Sequence, residues 1–245
     1  MAIAEKKRSE YNSHIQTKTK EVIMRRERLG RKQHIILIGL LLVILASVIV
    51  LTAIKCSHRE DYTLYESGEV KKYTENNEYS TDEQKAFVEA ALSLVGKVRY
   101  FWGGKSSAVG WDEEWGQPKL VESSGSSTTG TVQPFGLDCS GYVSWCFIQT
   151  GATPPEMSRS IGEGTWNQWD KARETKKTNV QLGDLAFINR YPGATGNHVG
   201  IVVGFTESGE PLIAHCTPTY NDVVVSNCGG QFIYFRRPAF LTVED

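Results

Sequence analysis

The sequence predicts an α+β domain with an antiparallel sheet, and three observations predict it. Helical spacing of apolar residues dominates up to about residue 174. After Val180 the period changes to two, and short turn-rich links join the apolar runs. Helices that come first and a meander of strands that follows build segregated layers, not the alternating units of a doubly wound sheet.

Thr81-Asp82-Glu83-Gln84 reads as a capping box ahead of Phe87, Ala90, Ala91, Leu94 and Val95, and Gly96 closes that helix. Val98 to Gly104 is a short aromatic segment whose two final glycines let the backbone come close to another strand or a ligand. Residues 105–134 are a Gly/Ser/Thr-rich insert with Trp111 and Trp115 in an acidic patch, read either as a lid or as a floppy loop. Then Phe135 to Phe147 turns from a glycine-bearing approach into a helical run, with Val143, Cys146, Phe147 and Thr150 on one face. Gly151 and Pro154-Pro155 stop it. Ser158 to Glu174 suggests broken helix with Ile161, Trp166 and Trp169 inward. Strands are expected at 185–188, 198–205, 211–216, 223–225 and 232–236, the second and third joined by a Glu207-Ser208-Gly209-Glu210 turn.

This domain, residues 81–245, follows three other stretches. Residues 1–34 are a tail with ten basic and four acidic side chains. Residues 35–54 carry no charge, and twenty helical residues span roughly 30 Å, a bilayer core. The basic lead is too long for a signal peptide, so the run reads as a retained transmembrane anchor with a cytoplasmic N-terminus and an extracellular domain. Residues 55–80 are polar and aperiodic, a linker. A net charge of -1 over 245 residues argues against non-specific nucleic-acid binding by the whole chain.

Asp138 stands where an N-cap should be, which places Cys139 in the first turn of a helix. There free N–H groups and the helix dipole favour a thiolate. Of five histidines, only His198 and His215 fall in the folded domain, at the ends of strands that pair back on each other. That suggests Cys139 as nucleophile, His198 as proton acceptor and His215 as the residue that fixes the ring. The same three also fit a core cysteine and two sheet histidines. A zinc site of Cys139, Cys216, His198 and His215 lacks any C-x-x-C or H-x-x-x-H pair. Ser140 is a poorer nucleophile than its neighbour, and no phosphate-binding or dinucleotide glycine loop is present. Cys146 reads as core, and spacing leaves open whether Cys216 and Cys228 pair.

With these residues in hand, Thr81 to Pro238 resembles the NlpC-type papain-like cysteine peptidases of bacterial cell walls. The resemblance rests on Tyr100-Phe101-Trp102-Gly103-Gly104, Asp138-Cys139-Ser140-Gly141, Leu182-Gly183-Asp184-Leu185, His198-Val199-Gly200-Ile201 and Ile213-Ala214-His215, in that order. It implies a papain-like α+β fold behind a single transmembrane helix, with Cys139, His198 and His215 as the triad. Tyr100 matches a tyrosine beside the nucleophile, Asp138 and Ser140 match positions that help hold the substrate, and Ser158 and Arg159 match a groove segment. The implied substrate is the peptidoglycan stem peptide, cut between D-Glu and the diamino acid, with no metal or other cofactor. The insert at 105–134 is longer than is usual for the family. It motivates a second reading, a silent wall-binding or assembly module of a secretion or conjugation machine; a third keeps the same thiol chemistry in an acyltransferase.

Overall fold

A computed structural model describes residues 62–191 and 196–242. The expected tail and transmembrane segment lie outside the described residues. Among the described residues no helix is long and apolar enough to cross a membrane.

The α+β expectation agrees with the structure. Helices come first: α1 (Ser67–Thr74), α2 (Asp82–Ser93), α3 (Cys139–Ile148), α4 (Pro154–Ser160) and α5 (Gly164–Lys171). The short strands β1 (Pro118–Leu120) and β2 (Val132–Pro134) lie between α2 and α3. The main sheet follows with β3 (Arg173–Thr175), β4 (Leu185–Phe187), β5 (Val199–Phe205), β6 (Pro211–Thr217), β7 (Asp222–Ser226) and β8 (Tyr234–Arg237). Its order is β3-β8-β4-β5-β6-β7, and every pair is antiparallel.

Helix α3 is the centre of the core. All ten of its residues are buried, so the helix is enclosed all round rather than on the one face its spacing suggested. Tyr142, on its second turn, is fully buried and donates its hydroxyl to the Ala91 carbonyl of α2 at 2.8 Å. Helix α2 starts as expected: Thr81 Oγ1 accepts from the Gln84 N–H at 3.0 Å. The Gln84 side chain accepts from the Ser80 N–H and donates to Leu182 O at 2.9 Å, tying the helix to the approach to β4. One core lies among α2, α3 and the sheet. A smaller one, with Tyr62, Val202, Ile213, Cys228 and Phe232, is built on Ala186 and its neighbours. Strand β6 is buried along its whole length, as a central strand covered on both faces must be.

Four expectations need correction. Residues 62–80 are not spacer: Leu64 bridges Ser226, Tyr65 N–H donates to Val225 O at 2.9 Å, and Tyr62 and Val70 are buried. Residues 62–80 belong to the same compact unit as the helices and the sheet. Aromatic residues scattered among charges show no period, yet here they cover the edge of β7, which would otherwise present unpaired backbone groups. The insert is folded, not floppy. Its strands pair from Pro118↔Pro134 to Leu120↔Val132, and buried Trp115 packs edge-on against Trp145 of α3. Pro154 and Pro155 open α4, where a missing N–H costs nothing, besides following α3. Trp166 is 48% exposed and packs against Tyr191, while Trp169 alone of that pair is buried.

Candidate active site

The turn that presents Cys139 is held by close backbone packing. Phe101 N–H donates to Leu137 O at 3.0 Å, Leu137 N–H to Arg99 O at 3.1 Å, and Asp138 N–H to Gly104 O at 3.1 Å. Nothing larger than glycine fits where these segments cross. A Cβ on Gly104 would lie 2.2 Å from Gly136 O, and one on Gly141 would lie 2.0 Å from Gly104 O. The sequence's paired glycines thus serve strand-to-strand approach. Asp138 caps α3 as expected: its Oδ1 accepts from the Gly141 N–H at 2.6 Å and from Ser140 Oγ at 2.8 Å.

His198 and His215 meet. His198 Nε2 lies 2.8 Å from His215 Nδ1, and the rings stand edge to face. Gly200 of β5 lies against His215, where a Cβ would fall 3.0 Å from the His215 Cβ. The far side of His215 is closed by Phe232 and Tyr62, with ring centroids 5.1 and 5.0 Å away. His215 Nε2 lies 3.1 Å from Ser226 Oγ, and Ser226 Oγ donates to Asn227 O at 3.0 Å.

With the Ser226 hydroxyl donating to Asn227 O, the chain of bonds sets both tautomers. Ser226 spends its one proton on a carbonyl, so toward His215 it can only accept. His215 therefore carries its proton on Nε2 and offers a bare Nδ1. His198 must then be protonated on Nε2, which leaves its Nδ1 as the free base. The backbone N–H groups of Val199, the next residue along, and of Ser140 favour the charged form of the Cys139 sulfur. Cys139 thus lies near Val199, the first residue of β5, and His198 just before it bonds to His215 on β6.

Burial governs their charge. Cys139 is 8% exposed, and loss of solvent, then the Asp138 carboxylate, push its thiol up to about 12. The two N–H groups and the Lys105 ammonium act in the opposite direction without prevailing. The helix start alone suggested a thiolate; enclosure reverses that. Burial likewise pulls His198 down to about 4, against the pull of Asp138, and His215 well below the usual histidine range. Burial thus favours the thiol over the thiolate and the neutral imidazole over the imidazolium.

The other expected residues divide. Asp138 and Ser140 flank the sulfur-bearing residue directly. Tyr100 bridges Leu137 and, with Trp102, Val121, Thr128 and Asn221, lines a cavity of about 330 Å³ under the insert. Ser158 and Arg159 lie on the exposed side of α4 and bond to neither the histidines nor Cys139 among the described residues. The other three described cysteines are buried and free; Cys216 donates to Leu137 O and Cys228 to Pro211 O, so they do not pair. Among the described residues no group of His, Cys, Asp and Glu is arranged to hold a metal ion. Two contributors escaped the sequence reading. Ser226 ends a plain Val-Val-Val run, and Lys105 lies 33 residues before the carboxylate it binds.

An α+β domain with a cysteine at a buried helix start and two bonded histidines on neighbouring strands defines a class of thiol-histidine sites. The family description NlpC/P60 family matches residues 96–237, more than half of the chain, and the chain belongs to that family. A protein of Listeria seeligeri named "Probable endopeptidase p60" is 30% identical over 100 residues, which are 41% of this chain and 17% of that one. A "Probable endopeptidase" of Haemophilus influenzae is 32% identical over 74 residues, 30% of this chain and 42% of that one. The chain thus spans less than half the length of either relative. Among solved structures, the peptidoglycan hydrolase RipB of Mycobacterium tuberculosis is similar at 23% identity with a TM-score of 0.41, over 71% of this chain and 68% of that one.

Proposed function

We propose that this protein is a cysteine endopeptidase that hydrolyses peptidoglycan stem peptides, at the bond between D-Glu and the diamino acid. The span at 35–54 would hold it on the outer face of a bacterial plasma membrane. The observation that carries the reading is the bonded series Asn227 O, Ser226, His215, His198, which leaves His198 Nδ1 without a partner in that series, next to Val199, whose backbone N–H favours the Cys139 thiolate. As the sulfur attacks the scissile carbonyl carbon, its proton passes to His198 Nδ1 and the carbonyl oxygen becomes an oxyanion facing the Cys139 N–H at the start of α3. The C–N bond then breaks, the imidazolium protonates the departing amine, and a thioester remains. Water, deprotonated by the same ring, releases the acid and restores the thiol. Because burial favours the neutral pair, proton transfer accompanies attack rather than preceding it.

The test is mass spectrometry of muropeptides incubated with the full chain. The expected result is two fragments that together equal the substrate plus one water, divided after D-Glu. Division elsewhere removes the bond assignment, and no fragments at all remove the enzyme.

One observation favours a second reading, a silent wall-binding module: the thiol is enclosed, and burial disfavours its charged form. That module would bind the same peptides and release none. An acyltransferase would instead yield a fragment joined to an added amine.

A further inference from the structure

The folded insert encloses the cavity of about 330 Å³ together with the aromatic segment ahead of it. Tyr100, Phe101 and Trp102 bring rings to this space. Ser126, Ser127, Thr128 and Gln133 of the insert bring hydroxyls and an amide. Pro218 and Asn221 close it from the link between β6 and β7. The insert wall is built, not loose. Trp102 Nε1 donates to Ser124 O at 2.9 Å, Thr129 Oγ1 donates to Ser123 O at 2.7 Å, and Ser126 Oγ lies 2.9 Å from Thr128 Oγ1. A Cβ on Gly103, whose φ is 78°, would fall 1.9 Å from Ser123 Oγ, so the two segments are in close contact. The cavity is also tied to the site. Tyr100 bridges Leu137, two residues before Cys139, and the link with Pro218 and Asn221 leaves the strand that carries His215. Yet neither Cys139, Asp138, Ser140 nor either histidine lines it.

We propose that this cavity is a subsite for a neutral, N-acetylated sugar ring of the glycan strand. The inference rests on the peptidoglycan reading above for the source of the ligand, and the lining decides its chemistry. Among the described residues no Asp, Glu, Lys, Arg or His lines the cavity. A stem peptide carries free carboxylates, and a carboxylate taken out of water without a cation is costly. Rings set beside hydroxyls and side-chain amides instead suit a neutral group with apolar C–H faces and polar edges. The indole N–H of Trp102 is spent on Ser124, so this side chain contributes its apolar ring. Gln133 and Asn221 each carry an amide, which both gives and accepts hydrogen bonds, the pattern that an acetamido group matches. The volume is at the lower end of the roughly 300–1,000 Å³ of small-molecule sites, the size for one ring rather than a long chain.

The experiment measures binding of glycans that carry no peptide, so it is independent of cleavage. Full chain is titrated calorimetrically with tri-N-acetylchitotriose and with cellotriose, which has the same linkage but no acetamido groups. The acetylated trisaccharide is expected to bind about tenfold more tightly, the scale of one or two hydrogen bonds. Trp102→Ala removes a ring, and Asn221→Gly removes an amide while glycine takes the φ of 52° without strain. Each is expected to weaken binding of the acetylated trisaccharide about tenfold. Because Trp102→Ala also removes the contact with Ser124, Asn221→Gly is the variant that leaves the insert wall intact. Equal binding of the two glycans, binding of neither, or an affinity unchanged in both variants overturns the subsite, and the peptidase reading is then left to stand on muropeptide cleavage. A chain that prefers the acetylated glycan, loses that preference in the variants and cleaves no muropeptide keeps the subsite and loses the peptidase reading.

Discussion

At the scale of single residues, the site combines a thiol raised to about 12 with an imidazole lowered to about 4. Between those values both are neutral. As pH falls through about 4, His198 takes a proton and can no longer accept one from the thiol, so kcat/KM is expected to be flat at neutral pH and to drop only in strong acid. Alkylation of Cys139 by iodoacetamide should rise about tenfold per pH unit from roughly pH 6 to 9, as for a thiol far below its titration point. A plateau across neutral pH would show a preformed thiolate–imidazolium pair and contradict the neutral resting state. In the proposed mechanism Ser226 acts through His215 and is a positioning residue. Ser226→Ala is expected to lower kcat about tenfold with KM little changed, the effect of one lost hydrogen bond on ring orientation. Ser226→Thr, which keeps the hydroxyl, should restore it; an unchanged kcat in Ser226→Ala would show that the tautomers are set without it. The position of Cys139 at a helix start and the meeting of the two histidines were legible in the sequence, because the N-cap and the strand pairing could be read from it. Ser226 was not, since its neighbours are ordinary strand residues and its partner is brought to it by the pairing of β6 with β7.

At the scale of elements, the Leu182-Gly183-Asp184-Leu185 motif has a structural explanation. Asp184 is buried, accepts from the Gln181 N–H and forms a two-pronged pair with Arg237, with both N···O distances 2.9 Å. The pair joins the start of β4 to the end of β8, and Arg237 also donates to Asn179 O. Burial raises the Asp184 carboxyl against the opposing pull of Arg237. Asp184→Asn leaves the guanidinium without its counter-charge and is expected to cost about 3 kcal/mol in chemical denaturation. A loss below about 0.5 kcal/mol, the size of an exposed pair, would show that the bridge contributes nothing special. Element type was readable for α2, α3 and β4 to β8, where one period persists over several turns or residues. Strand β3 was read as helix end because three residues carry no period, and its strand character comes from pairing with β8. The insert was unreadable for a related reason: its fold depends on Trp115 reaching Trp145, a contact 30 residues away.

At the scale of the whole molecule, the segment ahead of α2 belongs to the same compact unit as the helices and the sheet. Tyr62 covers His215 and Phe232, and residues 63–65 extend the sheet beyond β7. Tyr62→Ala is expected to destabilise the domain by about 3 kcal/mol, the usual scale for a buried aromatic. A chain that starts at Ser80 should unfold at lower denaturant than one that starts at Glu60. Equal midpoints for the two would return residues 62–79 to the status of a spacer. Composition hid this segment because its apolar residues are spaced to suit a sheet edge and a short helix in turn, so neither period is sustained.

The account depends on the sulfur of Cys139 as the attacking atom, and one comparison tests that most directly. Muropeptide cleavage by the full chain is measured beside the same chain carrying Cys139→Ala, with circular dichroism showing both folded. The account predicts cleavage by the first and none by the second. Equal cleavage rates would contradict it.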